Sequence, residues 1–100
     1  MVIVSGAFVI EPDRREEFLA GRVEAMRASR AESGCLEYTL SADPVDPSRV
    51  VLFERWASQE ALDAHLAASR ARGASGGTGV AAEVVSIVVY DVTGERPLGG

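Results

Sequence analysis

The two strands predicted at the ends of this chain carry apolar side chains on both of their faces. Residues 2–10 read Val-Ile-Val-Ser-Gly-Ala-Phe-Val-Ile, and residues 83–92 read Glu-Val-Val-Ser-Ile-Val-Val-Tyr-Asp-Val. Because successive side chains of a strand point to opposite faces, both faces of these strands need cover from other parts of the protein. A chain of 100 residues therefore has to bury its sheet on two sides.

Two amphipathic helices are predicted between the strands. The first begins with a capping-box spacing at residues 13–16 and continues until Gly34 stops it. The second has Ser58 as its N-cap, and its inward-facing side chains are Leu62, His65 and Leu66. Residues 73–79 hold four glycines and no bulky side chain, so we predict a flexible connection there.

A hairpin is predicted over residues 35–41 and 50–56, because the turn between them contains two prolines, which cannot donate to a strand ladder. The order of elements is then β-α-β-β-α-β. This is the split arrangement of ferredoxin-like α+β folds, in which an antiparallel sheet carries both helices on one face. We expect one domain over residues 1–93 and a flexible tail over residues 94–100.

The second face of this predicted sheet stays bare. Two helices cover only one set of the alternating apolar side chains, and an exposed apolar face of this size is an interaction site or an aggregation hazard. Packing against a second copy of the chain would cover it with a symmetric interface. The sequence therefore predicts a homodimer formed through the sheet face.

Composition excludes several classes of partner and chemistry. The net charge of −5 opposes binding to nucleic acid, whose affinity for proteins comes largely from clustered cations. No apolar run is long enough for a membrane span and no secretory signal is visible, so we expect a cytoplasmic protein without a membrane partner. The absence of Lys excludes Schiff-base chemistry, and one Cys with one His cannot close a zinc site, so no metal is predicted.

Three side chains are candidates for chemistry. His65, the only His, could act as a base near neutral pH or could be a core His satisfied by a backbone group. Trp56 could form the wall of an aromatic pocket or simply pack in the core. Tyr38 could bind a substrate oxygen through its phenol or serve only as a structural side chain.

Three segments together resemble the antibiotic biosynthesis monooxygenase family. They are Glu32-Ser-Gly-Cys-Leu-Glu-Tyr38, Asp46-Pro-Ser-Arg-Val-Val-Leu-Phe-Glu-Arg-Trp56 and Ser58-Gln-Glu-Ala-Leu-Asp-Ala-His-Leu66. The resemblance covers almost the whole chain, and it implies a dimeric α+β barrel in which two ferredoxin-like protomers pack sheet to sheet. The haem-degrading branch of the family is disfavoured, because its pattern includes an Asn and this chain has none.

The bacterial quinol monooxygenases look most similar, since their pattern shares Trp56 and His65. The resemblance implies a cofactor-independent oxidation of a dihydroquinone or polycyclic phenol by O2. In that reaction His65 is the base, Trp56 stacks on the substrate and Tyr38 hydrogen-bonds a ring oxygen. The substrate-binding residues that we expect on the same grounds are Phe8, Leu52, Leu62, Arg70 and Arg72, with an Arg stabilising a phenolate.

Two other functions stay open from the sequence. The dimer could bind a small metabolite without oxidising it, as an isomerase, a cyclase-like protein or an accessory protein of a pathway. It could also have a closed core without a ligand. Fold alone does not decide among these functions.

Overall fold

A computed structural model describes residues 1–72 and 79–99 of the chain. Its elements are β1 (Val2–Val9), a 3-10 turn (Pro12–Arg14), α1 (Arg15–Ala20), α2 (Val23–Arg30), β2 (Cys35–Ala42), β3 (Arg49–Trp56), α3 (Gln59–Arg72) and β4 (Glu83–Asp91). The predicted ferredoxin-like α+β order is confirmed. The predicted flexible connection at residues 73–79 lies outside the described residues, except for its last glycine.

The four strands form one antiparallel sheet in the order β2-β3-β1-β4. Its register places Glu54 of β3 beside Val4 on one side and beside Tyr38 on the other. Directly paired residues share a face, so these three side chains form one row. The next row on that face pairs Trp56 with Val2 and with Cys35.

The first helix is not continuous, which corrects the sequence prediction. It breaks at Gly21 and Arg22 into the short α1 and α2. The predicted capping box is also wrong, because the helix starts at Arg15 after a 3-10 turn and has no side-chain cap. Arg15 is held elsewhere, since its Nη1 donates to three carbonyl groups around the β2–β3 turn, at 2.8 to 3.2 Å.

The N-cap of α3 is as predicted, because the Ser58 hydroxyl accepts a hydrogen bond from the Ala61 amide at 3.1 Å. The predicted inward face of this helix is right for Leu62 and His65, which are buried, and wrong for Leu66, which is 45% exposed. Residues 62 and 65 are one turn apart and lie on one side of the helix. Leu66 is rotated by about 100° from His65, away from the sheet.

The core lies between the helices and one face of β1 and β3. Its main cluster contains Val2, Val4, Leu52, Trp56 and Leu62, and a second cluster contains Ile10, Phe18 and Val50. The whole molecule is a slab of 39 × 36 × 20 Å. Such a thin shape corresponds to one layer of sheet and one layer of helices.

Strand β4 is exposed on both faces in the part of one chain that the structure describes. Every residue of the strand is exposed, and its large apolar side chains, which are 42 to 62% exposed, are Val84, Val85, Ile87, Val88, Val89 and Tyr90. The two-sided cover that the sequence demands is therefore missing within the described part of a single chain. Among the described residues no helix has the length and hydropathy needed to cross a membrane.

Candidate active site around His65

His65 lies on α3 between two carboxylates that face its two ring nitrogens. Glu32 Oε1 is 3.0 Å from Nδ1, and Glu54 Oε1 is 3.9 Å from Nε2. The three side chains are only 5 to 20% exposed. Charged groups with so little water around them interact much more strongly than they would on the surface.

The Glu54 carboxylate is held by the indole of Trp56. These residues are two apart on β3, so both point towards the helices, and Trp56 Nε1 donates to Glu54 Oε1 at 2.9 Å. The indole is completely buried and satisfies its only polar group through this bond. Trp56 is therefore both a core residue and the hydrogen-bond partner of a buried acid.

Two aromatic rings lie against the imidazole. The ring of Trp56 is 4.7 Å from that of His65, centroid to centroid, and the ring of Tyr38 is 5.3 Å from it. Tyr38 reaches this position because it shares a row of the sheet with Glu54. The imidazole thus packs against two aromatic rings, and its two nitrogens lie at its polar edge.

Burial raises the pKa of two acids at this centre. The pKa of Glu54 is raised by desolvation and by the nearby Glu32, while the Trp56 hydrogen bond and His65 act in the opposite direction. Desolvation, with a smaller contribution from Glu54, also raises the pKa of the Tyr38 phenol. The phenol therefore stays protonated and can donate a hydrogen bond.

Polar groups on the last turns of α3 complete the centre. Ser69 Oγ is 3.5 Å from His65 Nε2 and accepts a hydrogen bond from Arg72 Nη2 at 3.3 Å. The other Arg72 terminal nitrogen is 4.0 Å from Glu32 Oε1. Arg72 thus brings a positive charge to a site that otherwise holds two acids.

A surface pocket of about 340 Å³ reaches Tyr38 from the outer edge of the sheet. The residues that line it are Arg30, Cys35, Leu36, Glu37, Tyr38 and Thr39. Its volume is within the range of small-molecule sites. Tyr38 therefore contacts the buried imidazole and also lines a cleft that is open to solvent.

Comparison with known proteins identifies the family. The sequence model described as antibiotic biosynthesis monooxygenase matches residues 1–75. This chain belongs to that family. A crystal structure from Deinococcus radiodurans, provisionally titled an antibiotic biosynthesis monooxygenase, is 25% identical, covers 97% of both chains and has a TM-score of 0.77. A second one, from Chloroflexus aurantiacus and titled in the same way, has a TM-score of 0.72 at 25% identity over 98% of both chains.

Curated relatives match a shorter part of the chain. A Synechocystis protein of unassigned function, sll1783, is 34% identical over 64 residues, which are 64% of this chain and 44% of that protein. A Bacillus subtilis protein provisionally named monooxygenase YcnE is 29% identical over 65% of this chain and 68% of its own length. A Mycobacterium tuberculosis protein with the same provisional name, Rv0793, is 39% identical over 64% of this chain and 62% of its own length.

The structure brings together some of the residues that the family pattern implies. His65 contacts both Trp56 and Tyr38, and Arg72 reaches the same centre through Glu32 and Ser69. Leu52 and Leu62 pack with Trp56 in the core. Phe8 packs against both core clusters, with its ring 6.3 Å from that of Phe18, and Arg70 is exposed.

Sequence reasoning missed Glu32 and Ser69. Glu32 opens the first family-like segment, but it is 33 residues from His65 along the chain, and no spacing rule links them. Ser69 had a detectable signal, because it is four residues after His65 on the same helix face. Among the described residues no group of three His, Cys, Asp or Glu side chains could hold a metal ion; the two carboxylates face opposite ring nitrogens.

The raised pKa of Glu54 predicts a pH-dependent effect of Glu54→Gln. A folded-state pKa above the usual 4.5 means that the stability contributed by Glu54 is lost as pH rises from 4.5 through the folded pKa. Gln keeps an acceptor for Trp56 but never ionises. We expect the free energy of unfolding of Glu54→Gln, relative to wild type, to increase across that pH window.

Urea unfolding followed by fluorescence of the single Trp at a series of pH values measures this difference. Glu24→Gln is the matched control, since the Glu24 side chain is 83% exposed in a surface ion pair with Arg27. If the free energy of unfolding of Glu54→Gln relative to wild type stayed constant or fell as pH rises, the raised pKa of Glu54 would be contradicted.

Proposed function

We propose that this chain is a cofactor-independent monooxygenase that oxidises a dihydroquinone or a polycyclic phenol with O2. The observation that carries the proposal is the buried contact of His65 with the rings of Trp56 and Tyr38. An imidazole in this setting can take a phenolic proton. Membership in a monooxygenase family, and the provisional monooxygenase names of two relatives, support the same reaction class.

The reaction needs no external reductant, because the substrate supplies the electrons. His65 Nε2 takes a hydroxyl proton, and the resulting anion passes one electron to O2. The semiquinone and superoxide combine to form a carbon–oxygen bond. The product is a hydroperoxide on the C–H ring carbon next to a carbon that bears oxygen. The O–O bond then breaks as that carbon loses its proton, so one oxygen stays in a hydroxyquinone and the other leaves as water.

The other site residues hold the substrate in this proposal. The protonated Tyr38 phenol donates to a ring oxygen, and the Arg72 guanidinium stabilises the phenolate. Arg72 suits this role better than Arg70, because only Arg72 is at the centre. The pocket at Tyr38 provides the entrance, and Leu52, Leu62 and Phe8 form the apolar surroundings behind it.

A non-oxidative isomerase is the second candidate. Glu54 has a raised pKa and lies 3.9 Å from His65 Nε2, so one group could give a proton while the other takes one. An enzyme of that kind would move a proton between two carbons of a carbonyl compound. It would consume no O2.

We also propose that the working unit is a homodimer formed through the open face of the sheet. The apolar side chains on that face include Ile3, Val9, Val51, Phe53, Val88 and Tyr90, by the strand register. Val9, Val88 and Tyr90 are 40 to 53% exposed in one chain. A second copy that packs face to face would remove this surface from water and would stabilise both protomers.

We predict that the purified, metal-stripped protein accelerates O2 uptake by naphthalene or anthracene hydroquinones and that His65→Ala loses this activity. Loss of a general base costs about 10²- to 10⁴-fold in kcat. An oxygen electrode measures the rates against a blank without protein. Arg27→Ala, a change in a surface ion pair, is the control and should keep the wild-type rate.

Two results of this assay contradict the proposal. Uptake at the blank rate across the whole panel would exclude the oxygenase and favour the isomerase. Full turnover by a folded His65→Ala variant would exclude His65 as the base.

We predict that the wild-type protein sediments at twice the chain mass of 10.6 kDa and that Val88→Asp sediments as a monomer. The new carboxylate would be buried without a partner in the proposed interface. Val45→Asp is the matched control, because Val45 is 89% exposed in the β2–β3 turn. A monomeric wild-type protein, or a dimer that Val88→Asp leaves intact, would contradict this interface.

A further inference from the structure

We propose that Glu32 is the positioning residue of this site, because its carboxylate accepts the Nδ1 proton of His65 and so leaves Nε2 unprotonated for the substrate. The inference rests on the proposed role of His65 as the base. It assigns a task to an acid that the family comparison does not explain. It also decides which of the two ring nitrogens does the chemistry.

The contact between Glu32 and His65 has the geometry of a strong hydrogen bond. Oε1 and Nδ1 are 3.0 Å apart, with the imidazole 5% and the carboxylate 20% exposed. A hydrogen bond to an ionised acceptor is stronger than one between neutral groups, and a dry environment strengthens it further. The bond made by one ring nitrogen determines which nitrogen carries the proton in neutral imidazole.

Glu54 competes for the same proton from the other side of the ring and is the weaker acceptor. Its Oε1 is 3.9 Å from Nε2, beyond hydrogen-bond distance, and already accepts the indole proton of Trp56. Ser69 also faces Nε2, at 3.5 Å, and its hydroxyl can donate to an unprotonated nitrogen. Nε2 thus has a hydroxyl that can donate to it as its nearest polar neighbour, whereas Nδ1 faces a carboxylate oxygen at hydrogen-bond distance.

The remaining charged and titratable neighbours do not disturb this arrangement. Tyr38 contacts the imidazole through its ring, at 5.3 Å between centroids. The Arg72 guanidinium is 4.0 Å from Glu32 Oε1, so it lies further from this oxygen than His65 Nδ1, which is 3.0 Å away. The Glu32 carboxylate also stabilises the imidazolium that forms when Nε2 takes a proton.

The backbone of the segment 32–34 holds Glu32 in place. The Glu32 amide donates to Ser29, the Glu32 carbonyl accepts from Cys35, and the Gly34 carbonyl accepts from Ala57. These three bonds, at 2.8 to 3.2 Å, tie the segment to α2, β2 and the end of β3. A fixed backbone at Glu32 limits the positions that its carboxylate can reach.

Gly34 sets the distance between this segment and α3. It has φ +81°, and a Cβ at this position would come within 2.6 Å of the Ala61 Cβ. Only glycine therefore permits the observed approach. Ala61 and His65 are one turn apart on the same face of α3, so the close contact at Ala61 brings the neighbouring Glu32 within reach of His65.

The tautomer of His65 is directly measurable, since the chain has a single His and therefore one set of ring signals. Long-range proton–nitrogen NMR spectra, recorded in alkaline buffer, report which ring nitrogen carries the proton. We expect protonated Nδ1 and bare Nε2 in the wild type. Glu32→Ala should move the proton to Nε2, and Glu32→Gln, which keeps a carbonyl acceptor, should retain the wild-type pattern.

The amide spectrum of each variant shows whether it is folded. A wild-type ring protonated at Nε2 would overturn the proposal, and so would a folded Glu32→Ala variant with the wild-type tautomer. If Glu32→Ala does not fold, the wild-type and Glu32→Gln spectra still decide between the two tautomers.

Kinetics supply the second readout. In the O2-uptake assay, Glu32→Ala should lower kcat by about 10- to 100-fold and leave KM nearly unchanged, because Glu32 acts through His65 and does not touch substrate. Glu32→Gln should lose less. An effect on KM alone would overturn the positioning role. If the wild type turns over none of the hydroquinones, the proposed function fails, while the NMR result still decides the role of Glu32.

Discussion

The hydrogen bond between Trp56 and Glu54 is the interaction on which the site depends. The ionised form of a carboxyl group as deeply buried as that of Glu54 is costly in free energy. Trp56 Nε1 donates a hydrogen bond to its Oε1 at 2.9 Å and satisfies that oxygen. The same bond fixes the indole against the imidazole and occupies the oxygen that faces Nε2. One pair of side chains on β3 therefore controls the packing of the core, the charge of the site and the surroundings of His65.

Much of the fold could be predicted from local pattern. The alternation of apolar side chains predicted the strands, and Ser58 predicted the start of α3. The order of elements predicted the antiparallel sheet. The predictions that were wrong concern residues whose positions depend on tertiary contacts. Arg15 binds the β2–β3 turn, where a capping box was predicted at the helix start. Leu66 was predicted to face inwards but lies outside the contact between α3 and the sheet. Such contacts join parts of the chain that no local spacing relates.

The site shows the same division. Trp56 and His65 could be found from residue type and family pattern, and Tyr38 from its alternation along β2. Glu32 could not be found in this way, because its contact with His65 joins two segments that are distant along the chain. The close approach of Gly34 to Ala61 brings these segments together. The cover of strand β4 also depends on contacts beyond local pattern. Its apolar side chains are exposed in the described part of one chain, and the proposed dimer would cover those on the open face of the sheet.

We propose that the protein inserts one atom of O2 into its substrate. Oxidation of a naphthalene hydroquinone under isotope-labelled O2, followed by mass spectrometry of the product, tests this directly. We expect a hydroxyquinone with one labelled oxygen and the second labelled atom in water. An unlabelled quinone with hydrogen peroxide, formed no faster than without protein, would contradict it.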